Sequence, residues 1–187
     1  MAISQKIAKS TKLLLLLFIS FSFVKCMGPK RTEYITFHSV YTERDNFVIR
    51  VGLYGQPQFD RHLLYKVITE GSSPYTLHVT AIYQNMDEFS SIRVLSANIS
   101  GLNGIEILTS SELLLLKKDF GASQNPEGYT AGGRFANLEL DLQPYLIEGQ
   151  IEVCSSDKCW IEEFSAILNY TIEHKYGFTA IDRAMSV

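Results

Sequence analysis

Two of the three cysteines in this 187-residue chain, Cys154 and Cys159, flank the polar stretch Ser155-Ser156-Asp157-Lys158. Four intervening residues suit a hairpin whose ends come within disulfide reach. Two chemistries are open to such a pair. One is a permanent cross-link, although so short a loop gains less from closure than the roughly 3 kcal/mol expected for fifteen residues. The other is thiol-disulfide exchange, which needs an exposed sulfur and a neighbour that stabilises the thiolate. Lys158 is adjacent and could supply that charge, whereas Asp157 and Glu152 oppose it by like-charge repulsion. Trp160 either shields the pair or packs in a core.

The other reactive residue types form no recognisable constellation. His38, His62, His78 and His174 fall on separate expected elements with no second ligand at metal spacing, so no metal site and no cofactor are expected. Gly101 to Gly104 and Gly128 to Gly133 fit neither the dinucleotide nor the P-loop spacing. There is no Gly-x-Ser-x-Gly elbow. The acid pairs Asp87-Glu88 and Glu162-Glu163 read as solvated turn residues rather than a glycosidase pair. A net charge of -3 excludes a nucleic-acid partner, which would require a basic field to displace counterions. Lys6, Lys9, Lys12 and Lys25 precede every acidic residue, so the chain after residue 25 is more acidic still.

Those early lysines lead into the apolar or small run Leu13 to Val24, the order of a secretory signal peptide over residues 1–25. The run is shorter than the ~20 residues a membrane-spanning helix needs. Cleavage is therefore expected, followed by a short linker over 26–32. Phe23-Val24-Lys25-Cys26 partly resembles the lipobox of bacterial lipoproteins, with a lysine where that motif has a small residue. The cysteine count favours lipidation, because pairing Cys154 with Cys159 leaves Cys26 alone. Soluble export and lipid anchoring through Cys26 both stay open. Asn98-Ile99-Ser100 and Asn169-Tyr170-Thr171 are glycosylation sequons.

The elements that must position the cysteine pair are strands. Alternation places Phe47, Ile49, Val51 and Leu53 on one side of 46–54, and Tyr75, Leu77, Val79, Ala81 and Tyr83 on one side of 75–83. Segments 135–142 and 164–173 alternate likewise. Weaker strands are expected at 33–42, 62–69, 91–99, 104–109, 112–118 and 147–154. The change of parity near Leu95 implies a bulge or a strand end. Leu113 to Leu116 read as a doubly covered strand, with a short helix as the alternative. Asp119 to Gly133, rich in glycine, reads as a long mobile surface loop able to bind a partner. About ten strands over 33–173 imply an all-β, immunoglobulin-like two-sheet antiparallel sandwich, followed by a C-terminal tail over 174–187. With 46% hydrophobic residues the chain can fill such a core.

The run Gly149-Gln150-Ile151-Glu152-Val153-Cys154, four residues, Cys159, and then Phe164 opening an alternating strand resembles the cysteine hairpin in the amino-terminal domain of the thiol-disulfide interchange protein DsbD. The resemblance spans Gly149 to Ile172. It implies an immunoglobulin-like periplasmic domain in which Cys154 and Cys159 would be the redox pair. Two features depart from that family: Trp160-Ile161-Glu162 stands where a proline pair is usual, and the upstream cap-loop aromatic motif has no counterpart. Two functions are therefore expected. The first is an exported, non-catalytic envelope module at the periplasm or cell surface that binds another envelope or membrane protein. The alternative is a periplasmic thiol-disulfide exchange protein using Cys154 and Cys159.

Overall fold

The alternating segments form eleven strands in a computed structural model that describes residues 29–61, 66–126 and 128–178. The expected signal segment, Cys26 and His62 lie outside the described residues. In order the strands are β1 (Pro29–Phe37), β2 (Val40–Glu43), β3 (Val48–Arg61), β4 (Lys66–Tyr83), β5 (Ser91–Gly101), β6 (Glu106–Leu108), β7 (Lys117–Asn125), β8 (Gly128–Leu138), β9 (Tyr145–Cys154), β10 (Cys159–Leu168) and β11 (Tyr170–Phe178). One short helix, α1 (Ser110–Leu115), lies between β6 and β7.

The strands build two sheets packed as the expected sandwich. One has seven strands in the order β11-β1-β4-β3-β2, with β8 also pairing β4 and β7 pairing β8; the other runs β10-β9-β5-β6. The chain divides into two compact units. The larger, residues 34–57 and 70–172, holds the core: Phe47, Ile49, Val51 and Leu53 of β3 and Tyr75, Leu77, Val79, Ala81 and Tyr83 of β4 are all buried, as their alternation requires. From the small sheet, Val94, Ala97, Ile99, Ile147, Ile151, Val153, Phe164 and Leu168 complete it. In the smaller unit, described over 29–33, 58–61, 66–69 and 173–178, Arg31 pairs with Glu33 at 2.6 Å and Lys66 Nζ stands 5.2 Å over the Phe59 ring.

Several boundaries differ from the sequence expectation, each for a local reason. The parity change at Leu95 is a bulge: the pairing of β5 with β9 shifts between Val94 and Ser96, and the strand continues to Gly101. Leu113 to Leu116 belong to a helix end rather than a strand. Thr109 caps α1, accepting from the Glu112 backbone N–H while the Glu112 carboxylate accepts from the Thr109 N–H, and only Leu113 reaches the core.

The expected loop over 119–133 is instead the β7–β8 hairpin, paired from Lys117↔Phe135 to Asn125↔Gly128 with one irregularity between Phe120 and Ser123. Three of its four glycines, Gly128, Gly132 and Gly133, serve close approach rather than flexibility. A Cβ on Gly132, at φ 156°, would stand 2.2 Å from the Val79 carbonyl oxygen. At the end of β8, Asn137 takes φ 60°, and this turn of the backbone lets Phe135 and Leu138 both face the core. The alternation read over 135–142 therefore breaks, and Leu142 is exposed. The long last strand divides at Asn169 into β10 and β11, the second running past Glu173 to Phe178.

Candidate functional site

Cys154 ends β9 and Cys159 begins β10, and the two are direct register partners. Ser155 N–H donates to the Lys158 carbonyl at 2.9 Å inside the turn. Hydrogen-bonded and non-hydrogen-bonded pairs alternate along an antiparallel ladder, so the next pair, Cys154 and Cys159, falls at a non-hydrogen-bonded site, where facing residues come closest. Their Cα atoms are 4.0 Å apart and their sulfurs are joined in a disulfide.

Residues of odd number on β9, such as Ile151 and Val153, enter the core, so Cys154 lies on the outer face of the small sheet with Glu152. It is nonetheless only 5% exposed, whereas Cys159 on the edge strand is exposed. The approach to β5 explains the difference. Ser90 N–H donates to the Cys154 carbonyl at 2.7 Å, and the Ser90 hydroxyl donates to the carbonyls of Cys154 and Ser155 at 3.1 and 3.0 Å. This segment, at the start of β5, ties the turn down from one side.

The neighbours singled out in the sequence are drawn elsewhere. Trp160 lies on the opposite face of β10 from Cys159, as alternation demands, and so does not shield the disulfide. Its ring packs 6.2 Å from that of Phe89, and its Nε1–H donates to Glu162 at 3.1 Å. Lys158 Nζ sits 5.4 Å over the same indole. Glu152 is paired with Arg93 at 2.7 Å. Glu162 and Glu163 are strand residues rather than turn residues: Glu162 pairs with Arg44 at 2.9 Å, and the Glu163 carbonyl accepts from Arg44 Nη2 at 2.7 Å. Asp87 and Glu88 do lie in a 3-10 turn, behind the Asn85 cap.

Arg44 connects this hairpin to the β2–β3 turn. Beside it an open groove of about 580 Å³ is lined by Tyr41, Glu43, Arg44, Asp45, Phe47 and Glu88, among others. Phe47 stacks edge-on with Phe89 at 5.6 Å, and Phe89 in turn meets Trp160. Disulfide, indole and groove therefore share one end of the sandwich. Nothing in the local sequence around Arg44 marks this role, because its partner is 118 residues away.

The histidines are not brought together. His38 is exposed between β1 and β2, His78 is half-buried on β4, and His174 stands 3.6 Å from Glu33 in the smaller unit. Burial first, and then the charges of Arg134 and Arg50, hold His78 below the ordinary imidazole value. No group of residues able to hold a metal occurs among the described residues. No described helix is long and apolar enough to cross a membrane.

Compared with known proteins, the chain matches no family model, no curated protein and no solved structure.

Proposed function

We propose that the chain is an exported envelope module: a non-catalytic β-sandwich that binds another envelope or membrane protein, with Cys154–Cys159 as the permanent fastening of one end. The observation that carries this reading is register. The disulfide joins facing residues at the last ladder step before a tight turn, where it locks a hairpin that Ser90 and Arg44 already hold. The groove beside Arg44 is the surface for the partner. Cys154 and Cys159 satisfy each other, which leaves Cys26 without a partner in the chain and supports lipid attachment there.

Fractionation of cells producing the full-length chain tests this, with free thiols alkylated before and after reduction. The reading expects the chain outside the cytosol, shortened at its N terminus, with Cys154 and Cys159 unreactive until reduced. Intact mass is expected to show acyl addition at Cys26. A full-length cytosolic chain with both thiols free contradicts the reading.

One observation favours a second reading. Cys159 is exposed while Cys154 is covered on the outer face of the small sheet, an unequal pair that suits attack by a thiolate at Cys159, and the hairpin resembles that of the DsbD domain. That reading requires a reduction potential within the range of exchange proteins.

A further inference from the structure

The groove beside the β2–β3 turn joins an apolar lining to an acidic one. Val48 on β3 and Ile82 on the neighbouring strand β4 contribute to it, as do the buried rings of Phe47 and Tyr83. Both rings meet Phe89 edge-on, at 5.6 and 5.1 Å, so this side of the groove is fixed by the core before any partner arrives. The acidic lining is Glu43 and Asp45, both exposed, and the half-buried Glu88.

Arg44 is the only cation among the described lining residues, and its guanidinium is already committed. Nε donates to the Glu162 carboxylate at 2.9 Å, Nη1 to the Glu43 carbonyl at 3.0 Å and Nη2 to the Glu163 carbonyl at 2.7 Å. None of these acceptors is a carboxylate of the groove. Among the described residues no ion pair reaches Glu43, Asp45 or Glu88 either. Arg50, the next outward residue along β3 from Val48, does not line the groove. Three carboxylates beside one apolar lining therefore stay unneutralised, and their summed field favours a cation.

We propose that this groove docks a basic segment of the partner protein, a stretch in which arginines alternate with apolar residues. The inference rests on the reading above, in which the groove meets the partner. Tyr41 and Glu43 alternate to the same face of β2 with Thr42 between them, and both are exposed, Tyr41 by 52%. A guanidinium can stack on that ring while its fork takes the carboxylate, which an ammonium cannot do. Asp45 and Glu88 remain for a second cation, and Val48 and Ile82 for an apolar side chain between the two. Charge decides against anionic lipid headgroups and nucleic acid, whose phosphates the three carboxylates repel. Shape decides against a small molecule: such ligands need enclosure over most of their surface, whereas a chain segment can lie along an open groove of about 580 Å³.

The test titrates the full chain with three labelled octapeptides that alternate leucine with arginine, glutamine or glutamate, and follows fluorescence anisotropy. The arginine peptide is expected to bind, more weakly as salt is raised, and the other two at least about tenfold more weakly. Glu43→Gln/Asp45→Asn/Glu88→Gln is expected to lose at least about tenfold for the arginine peptide, and Tyr41→Ala about threefold. The triple variant breaks no ion pair, so its melting temperature is expected to change little. Glu106→Gln/Glu139→Gln/Glu148→Gln removes the same charge outside the groove and is expected to bind as the parent does. Equal binding of the glutamine peptide, or unchanged affinity in the groove triple variant, overturns the proposal. An exported chain that fails to bind the arginine peptide overturns this proposal alone, whereas a cytosolic chain whose groove binds it supports the proposal and contradicts only the export reading.

Discussion

Tyr145 shows most plainly how a single side chain is fixed by its surroundings. It is fully buried at the start of β9, its hydroxyl donates to the Asp141 carbonyl, and desolvation pushes its pKa up to about 12. The unfolded chain binds fewer protons than the native one once pH exceeds the ordinary tyrosine value near 10. The neutral-phenol preference is therefore fully present below that value and is lost as pH rises through the native value. Stability should fall between pH 10 and 12, by up to about 1.4 kcal/mol per unit for this group. Burial also raises Tyr75 and Tyr83, which steepen the same decline. Tyr145→Phe is expected to cost about 1 kcal/mol at neutral pH through its lost hydrogen bond, and to flatten the alkaline limb in urea unfolding. A limb as steep as that of the parent contradicts the assignment.

At the scale of elements, Gly149 decides how closely β9 can lie against β5. A Cβ there would stand 2.2 Å from the Ser96 carbonyl oxygen, just where the bulge displaces β5, and 2.8 Å from the Phe164 ring. Gly149→Ala is expected to destabilise by more than about 3 kcal/mol, because the obstruction is backbone and cannot rotate aside. Thr109→Ala should cost about 1 kcal/mol by uncapping α1; chemical denaturation measures both. These elements were unequally legible in the sequence. Strands 46–54 and 75–83 were readable because one face of each is wholly core and period two follows directly. The capping box has its sequence signature in Thr109 and Glu112, but the four leucines that follow carry no period to mark a helix. The β7–β8 hairpin was not readable, because Gly132 looks like a loop residue until Val79 is placed against it. The disulfide followed from spacing, whereas Arg44–Glu162 depends on a pairing between distant segments.

For the whole molecule, the balance lies between a large continuous core and one small cross-link. The core draws on both sheets and does not need the disulfide to exist. Closing so short a loop should contribute only about 2 kcal/mol. Cys154→Ser/Cys159→Ser is thus expected to fold with the same circular dichroism spectrum and to melt about 4–8 °C lower. Failure to fold at all would mean that the hairpin nucleates the sandwich rather than fastening its end. The proposed function turns on what kind of disulfide this is. The decisive measurement is the reduction potential of Cys154–Cys159 in the purified chain, equilibrated against thiol buffers and quenched by alkylation. A permanent fastening predicts a midpoint below about −300 mV, whereas a value between about −120 and −230 mV would contradict it and make the pair an exchange centre.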